Sequence, residues 1–383
     1  MQASPYTPGE IARLVPGRAR QLADFDERLS YLVDLGRLIG RIRVDHAPRG
    51  LGKTSLLREY QRRAVSRGVI TVWVTAGEGD LVAQIAAEIA RVTATWSDTA
   101  RRRVGARLES LTMRVGVPGI AGVDATVRSG QAGSDPAGSR DFEAVVRAAA
   151  AGDEHKGLVI LIDEIQAADP EGLRTLAYAW QHLQAEGSDV PAAVYTAGLP
   201  NAADAVAAAV TFSERFAYRP LHTLQPVDEE FALVVPAREL GVEWDRDALD
   251  EAVAIALGYP YVVQLIGDAA WFAAGRPDGG ATITVGHVRA GRVAMEDDMD
   301  ALFRARWANA AEGERDFMVA MAQISDGPVK RAEIASALHV TSESLSMPRA
   351  RLIDKGFIQA SDRGSLEFTI PGFAAFLRNL DRG

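Results

Sequence analysis

The 383-residue sequence contains no cysteine and only six histidines, which stand far apart along the chain. Without cysteine, the protein has no disulfides, no thiol catalysis and no cysteine-based zinc site. The histidines show no spacing that is typical of metal ligands. We therefore interpret them as ordinary surface or packing residues.

Long apolar runs are also missing. No segment approaches the roughly eighteen apolar residues that cross a bilayer, and the first ten residues lack the basic stretch and apolar core of a secretory signal. These absences predict a cytoplasmic protein without membrane contact. The formal net charge of -9 argues against a general nucleic-acid coat, although it allows a local basic face.

The most informative stretch is PRGLGKTS, residues 48–55, which ends like the phosphate-loop pattern G-x-x-x-x-G-K-[ST]. Its glycines let backbone N–H groups approach several negative charges at a helix N-terminus. Lys53 is suited to the β- and γ-phosphates, and Thr54 is suited to a magnesium ion that shares their oxygens. The predicted nucleotide contacts in the loop are Arg49, Gly50, Leu51, Gly52, Lys53, Thr54 and Ser55.

Two features depart from this pattern. Ala47 stands where the first glycine is expected, and the preceding strand, residues 42–46, contains polar side chains. A central parallel strand is usually apolar throughout. A chance turn between a strand and a helix is therefore the alternative, and the loop needs a second signal.

That signal is the apolar run of residues 158–162, which ends at Asp163 and Glu164. Such a run is typical of a strand buried on both faces of a parallel sheet, and ligands of these sheets bind beyond the carboxyl ends of the strands. Asp163 is suited to magnesium, and Glu164 is suited to orienting and deprotonating an attacking water. Taken alone, the run could end in an exposed acidic turn. Together with the loop it predicts nucleotide binding, with no metal beyond magnesium.

The length suggests two or three domains. We predict an α/β domain with a parallel sheet and a phosphate loop over residues 1–224, an all-helical lid over 225–308, and a third unit over 309–383. Alternating apolar residues near 111–128 predict a hairpin insertion, either a contact to DNA or a partner or a simple excursion at the sheet edge. The Gly- and Ser-rich residues 129–140 predict a mobile linker.

The third unit has the pattern of a winged helix-turn-helix. Helices are predicted at residues 312–323, 331–338 and 342–355, followed by two strands around a short turn. Residues 312–383 carry nine Lys or Arg against ten Asp or Glu, so docking to a protein is the alternative to binding double-stranded DNA. The candidate DNA contacts are Ser342, Ser344, Arg349, Arg351 and Lys355, with Arg363 at the tip of the wing.

Residues 48–57 and 161–166 resemble the phosphate loop and acidic strand of AAA-type and STAND-type ATPases. The similarity is to the archaeal-ATPase and origin-recognition-like group, whose members carry a C-terminal winged helix. It implies that ATP, ADP and Mg²⁺ are the ligands. By the same resemblance, Gly17 and Arg18 lie against the adenine, and Pro260 faces the base from the lid.

The resemblance also implies how the site works. Thr196, near the end of a further buried strand, matches the first sensor, and Arg215 matches an arginine finger that reaches the γ-phosphate of a neighbour in a homo-oligomer. The alternative for Arg215 is a surface ion pair. Ala47, and a lid with Gly-x-Pro in place of a sensor arginine, predict slow hydrolysis.

The function implied is an ATP-binding and slowly hydrolysing switch. In this interpretation the nucleotide state is coupled to a winged helix that contacts DNA or a partner. The alternative is a signalling or defence scaffold whose winged helix docks protein and does not bind DNA.

Overall fold

The computed structural model describes residues 1–115, 136–152, 155–361 and 364–380. The chain divides into two compact units. One contains residues 18–46 and 56–220, and the other contains residues 1–17, 47–55 and 221–383. None of the helices described is long and apolar enough to cross a membrane.

The first unit is built on a five-stranded sheet in which all neighbouring strands are parallel. The strand order is β2-β3-β4-β1-β5. Every residue of β3 and β4 is buried, which explains their continuous apolar sequence. The strands are β1 (Arg43–His46), β2 (Ile70–Thr75), β3 (Leu158–Asp163), β4 (Ala192–Gly198) and β5 (Ala217–Pro220).

Helices connect these parallel strands, as crossovers between parallel strands require. Two of them begin at an aspartate that caps the helix: Asp80 accepts a hydrogen bond from the N–H of Ala83 at 2.7 Å, and Asp169 accepts one from Gly172 at 2.6 Å. The helices are α1 (Ala19–Leu35), α2 (Lys53–Ser66), α3 (Leu81–Thr93), α4 (Asp98–Val115), α5 (Pro136–Ala150), α6 (Pro170–Glu186) and α7 (Ala202–Ala209), with short 3-10 helices at Ile165–Ala167 and Ser213–Arg215.

The hairpin predicted near residues 111–128 is wrong in its first part, because α4 continues to Val115. Val104, Leu108 and Leu111 are buried at helical spacing, whereas Met113 is 78% exposed. The apparent alternation was therefore part of a helical stripe. The rest of the predicted hairpin lies outside the described residues.

The linker predicted over residues 129–140 is also wrong at its end, because α5 begins at Pro136. This helix buries Phe142 and Val145 in the core of the unit. Burial of that apolar face explains why a Gly- and Ser-containing start is nevertheless helical. Residues 129–135 of the predicted linker lie outside the described residues.

A buried charge network explains the polar residues of β1. Arg43 donates to Asp24 at 2.6 Å and to Asp45 at 3.2 Å, and the hydroxyl of Tyr60 donates to Asp45 at 3.0 Å. Burial raises the pKa of Asp45, and the attraction of Arg43 opposes that rise. The side chains are tolerated in the middle of the sheet because each one has a partner.

The second unit begins with the N-terminal segment and includes the region predicted as a lid. Tyr6 is buried and donates its hydroxyl hydrogen to the carbonyl of Leu233. The same hydroxyl accepts a hydrogen bond from the indole N–H of Trp244 at 2.9 Å. The prediction of an all-helical region over 225–308 misses one parallel pair of two-residue strands. Its elements are α8 (Pro226–Glu239), β6 (Glu243–Trp244), α9 (Arg246–Ala256), α10 (Pro260–Ala273), β7 (Thr282–Ile283) and α11 (Val285–Ala308).

The C-terminal part of this unit contains three helices and an antiparallel sheet of order β8-β10-β9, followed by a last helix. The predicted third helix begins four residues late, at Ser346, because Ser344 donates its hydroxyl hydrogen to the carbonyl of Thr341 in a preceding turn. Strand β8 and helix α15 were not predicted. The elements are α12 (Glu312–Ile324), β8 (Val329–Lys330), α13 (Arg331–Ala337), α14 (Ser346–Asp354), β9 (Ile358–Ala360), β10 (Ser365–Phe368) and α15 (Phe373–Leu380).

Candidate nucleotide-binding site

The phosphate loop has the backbone conformation that its glycines allow. Gly50 and Gly52 have φ of 85° and 81°, in the left-handed region, and α2 begins at Lys53. A Cβ atom at Gly52 would meet nothing within 4 Å, so the backbone angle alone favours glycine there. At Gly50 a Cβ atom would lie 2.6 Å from the hydroxyl of Tyr259, so lack of space adds a second reason.

The side chains of the loop fit a phosphate ligand. Lys53 is buried, and its Nζ donates to the carbonyl of Pro48 at 3.0 Å. The ammonium of a lysine, the backbone N–H groups of a glycine-containing loop and those of a helix N-terminus together form a donor set for phosphate oxygens. Ser55 uses its hydroxyl to accept the N–H of Ala12 at 3.1 Å, so it anchors the N-terminal segment.

The metal chemistry also fits magnesium. Within the described ranges no group of three or more Asp, Glu and His side chains could hold a metal ion by itself. Mg²⁺ commonly uses one or two protein ligands and completes its shell with substrate phosphates and water. Thr54, in the first turn of α2, and Asp163, at the end of β3, remain the predicted protein ligands.

The predicted adenine contacts fall in different parts of the chain. Gly17 has φ of 71°, and a Cβ atom there would lie 2.9 Å from Leu224 and 3.0 Å from Asp228. Pro260 is the first residue of α10. Arg18, in the other compact unit, is buried. Their contact with adenine remains a prediction.

The acidic end of β3 has a strained backbone. Asp163 accepts the N–H of Glu164 at 2.9 Å, and Glu164 has φ of 53°. A non-glycine residue in this region costs about 1–3 kcal/mol, and such strain often marks functional sites. The side-chain amide of Gln166 donates to the carboxylate of Glu164, and its oxygen accepts the N–H of Leu199 at 2.8 Å.

Gln166 is therefore a positioning residue that the sequence analysis did not select. It links the turn after β3 to the residue that follows β4. The sequence does contain a signal for this role. An amide side chain stands two residues after Glu164, and an amide can donate and accept hydrogen bonds at once.

Thr196 stabilises the pairing of β4 with β1. Its hydroxyl donates to the carbonyl of Arg43 at 2.9 Å, and the residue is fully buried within β4. A contact with a phosphate would require this hydrogen bond to break. The sensor role of Thr196 remains a prediction.

Arg215 ends a 3-10 helix and has an exposed side chain, whose guanidinium lies 5.6 Å from the ring of Phe212. Arg41 holds the backbone around it. The Arg41 guanidinium donates to the carbonyl of Glu214 at 3.1 Å and to that of Phe216 at 2.8 Å. This second arginine was not selected from the sequence.

The candidate DNA contacts do not all lie on one helix. Arg349 and Arg351 belong to α14, with Arg351 exposed, whereas Ser342 and Ser344 lie in the turn before it. The ammonium of Lys355 pairs with Glu314 at 2.6 Å and donates to the carbonyl of Asn309 at 3.0 Å. A phosphate would have to compete with Glu314 for Lys355. Arg363 lies outside the described residues.

The family model of the AAA ATPase domain matches residues 14–191, which include the phosphate loop, Asp163 and Glu164. Residues 14–191 thus match the AAA ATPase domain over less than half of the chain. ATPases of this class bind ATP with Mg²⁺ and hydrolyse it, which confirms the predicted ligands and activity.

A second family model, a domain of unknown function (DUF8462), matches residues 300–377. A search of curated protein sequences found no match. Among solved structures, the chain is similar to the Walker-type ATPase PABY2304 of Pyrococcus abyssi, with 13% identity, a TM-score of 0.58 and 99% of each chain covered. It is also similar to the Aeropyrum pernix ORC2 protein, solved in ADPNP–ADP complexes, with 14% identity, a TM-score of 0.60 and coverage of 97% and 96%. At these identities the likeness shows the fold alone, and it confirms the predicted P-loop ATPase fold with a parallel sheet.

Replacing Glu164 with glutamine should keep ATP affinity within about twofold and lower the hydrolysis rate at least about 10²-fold, because the amide cannot accept the proton of an attacking water. Binding of a fluorescent ATP analogue and release of phosphate measure the two effects. Glu171→Gln, on the exposed start of α6, is the matched control and should change neither. Hydrolysis at the wild-type rate by Glu164→Gln would remove Glu164 from the chemistry.

Proposed function

We propose that the protein is an ATP-driven molecular switch that couples the nucleotide at its phosphate loop to residues 309–383. These residues, the C-terminal unit, form the last part of the compact unit that also contains the loop. One observation carries the proposal: the lid hydrogen-bonds the loop, and Gly356 of the C-terminal unit lies beside it. Tyr259 donates its hydroxyl hydrogen to the carbonyl of Arg49. A Cβ atom at Gly356, which follows α14, would lie 3.5 Å from the Cα atom of Pro48.

Because of these contacts, a nucleotide bound at the loop would act directly on the lid and the C-terminal unit. A ligand can change the conformation of a protein only by binding its states with different affinity. The carbonyl of Arg49 and the space above Gly50 are used by Tyr259, and a triphosphate needs the same loop. ATP and ADP differ at the terminal phosphate, so they should favour different positions of the lid and the C-terminal unit.

We infer that residues 309–383 form a winged helix-turn-helix. Three helices and a three-stranded antiparallel sheet support this interpretation. Arg349 and Arg351 would then contact the phosphates of duplex DNA. In this form the switch controls DNA binding.

The second candidate is a STAND-type signalling or defence scaffold whose winged helix docks a protein. The pair between Lys355 and Glu314 favours it, because it removes one cation from the surface that would face DNA. The near balance of charge in residues 312–383 points the same way.

Titration of duplex DNA at several salt concentrations, with ADP and with a non-hydrolysable ATP analogue, separates the two candidates. If Arg349 and Arg351 each meet a phosphate, the double variant Arg349→Ala/Arg351→Ala should reduce the log–log salt slope by about 1.8, since each contact contributes about 0.9. Arg331→Ala with Arg378→Ala is a control of equal charge. Absence of binding with both nucleotides would leave the protein-docking scaffold.

We also propose that Arg215 acts on the nucleotide of a neighbouring copy, in a cytoplasmic homo-oligomer. Its exposed guanidinium and the bonds from Arg41 to the surrounding carbonyls support this role, since they present the side chain on a fixed turn. A finger supplied in trans can raise hydrolysis about 10³- to 10⁵-fold.

Hydrolysis per molecule should therefore rise with protein concentration in the wild type and stay low in Arg215→Ala. Mixing Arg215→Ala with Lys53→Ala should restore part of the rate, because one copy keeps the phosphate loop and the other keeps the finger. Arg219→Ala, on the exposed end of β5, is the control. A rate per molecule that is independent of concentration would contradict action in trans.

A further inference from the structure

Arg58, on helix α2, lies over an aromatic ring of the sheet. The central carbon of its guanidinium is 3.5 Å from the centroid of the Trp73 ring, a separation at which a cation is attracted to the face of the ring. Its Nη1 donates to Oε1 of Gln61 at 2.7 Å, and the side-chain amide of Gln61 donates to the hydroxyl of Thr71 at 3.1 Å. These contacts hold the guanidinium above β2.

The ring below Arg58 is a close neighbour of Asp163 in the sheet. Trp73 pairs in register with Leu161, and Asp163 follows Leu161 by two residues on β3. Because side chains alternate along a strand, Leu161 and Asp163 belong to the face of the sheet that also carries Trp73. The Arg58 guanidinium and the Asp163 carboxylate therefore share one face of the sheet, near the carboxyl ends of β2 and β3.

The charge of Arg58 is only partly satisfied by its hydrogen bonds. Its Nε is buried and has no hydrogen-bond acceptor among the described residues. Burial lowers the pKa of the guanidinium, and the attraction of Asp163 opposes that change. A cation that is partly removed from water needs negative charge nearby. Asp163 supplies some of that charge, and Arg58 stabilises the carboxylate in return.

We propose that Arg58 is a positioning residue for Asp163, which balances the charge of this predicted magnesium ligand in the nucleotide-free protein and opposes binding of Mg²⁺ without nucleotide. A guanidinium beside the carboxylate repels a second cation. A triphosphate adds negative charge that outweighs this repulsion, so Arg58 favours joint binding of Mg²⁺ and nucleotide. The inference goes beyond the proposed switch and rests on Asp163 as a ligand of Mg²⁺.

The magnesium dependence of nucleotide binding tests this role. We expect Arg58→Gln to lower the Mg²⁺ concentration for half-maximal binding of a fluorescent, non-hydrolysable ATP analogue by about 3- to 10-fold, because a repulsion between nearby cations is lost. Arg58→Lys keeps the charge and should stay within about twofold of the wild type. No shift in Arg58→Gln, or the same shift in both variants, would overturn the proposal and leave Arg58 a packing contact of Trp73.

Arg62→Gln is the matched control on the same helix. Arg62 is 48% exposed and pairs with Glu59, and Glu59 keeps its pair with Arg63 at 2.8 Å when Arg62 is replaced. The variant loses the same charge and should leave the magnesium dependence unchanged. An equal shift in Arg62→Gln would contradict a specific role of Arg58, because any loss of positive charge on α2 would then have the same effect.

A second measurement needs neither metal nor nucleotide. Thermal unfolding in the presence of a chelator compares Arg58→Gln, Asp163→Asn and the double variant. If the two side chains attract each other, the double variant should lose less in melting temperature than the sum of the two single losses. Additive losses would overturn the proposal. A wild-type protein that binds no ATP analogue at any Mg²⁺ concentration would contradict the nucleotide site, and the unfolding measurement would then decide the role of Arg58 alone.

Discussion

The contact between Tyr259 and the phosphate loop is the constraint on which the rest of the unit depends. The ring occupies the space beside Gly50, and its hydroxyl donates to the carbonyl of Arg49. A loop that must expose backbone N–H groups to phosphate has few side chains of its own. It is therefore shaped by what packs against it, here Tyr259, the residue before α10, and the turn at Gly356. This dependence makes the loop a natural point at which nucleotide and C-terminal unit influence each other.

The strand that precedes the loop, β1, contains buried charged residues that are paired with one another. Arg43 and Asp45 are buried in β1, where a parallel sheet normally holds apolar residues, and they are satisfied by each other, by Asp24 and by Tyr60. Removing one partner alone would leave an uncompensated buried charge, which costs several kcal/mol in comparable cases. The polar residues of β1, which depart from the apolar sequence expected of a central strand, thus belong to a network of paired side chains.

Local chemistry could be predicted from the sequence, whereas contacts between distant segments could not. The loop and the pair Asp163–Glu164 were found because each is a short pattern that dictates its own backbone. The hairpin near residues 111–128 was misread because Leu111 and Met113 fit a period of two over too few residues, and only packing showed the helix. Thr196 was placed on the right strand, but its hydrogen bond to Arg43 depends on which strand lies beside it.

We propose above all that a nucleotide at the loop changes the conformation of the C-terminal unit. Hydrogen exchange of the backbone amides of residues 355–361 tests it most directly, measured with ADP and with a non-hydrolysable ATP analogue at saturation. In the wild type, exchange should be faster with the ATP analogue than with ADP. In Lys53→Ala, which lacks the lysine for the phosphates, the two nucleotides should give the same exchange. Identical exchange with both nucleotides in a wild-type protein that is shown to bind them would contradict it.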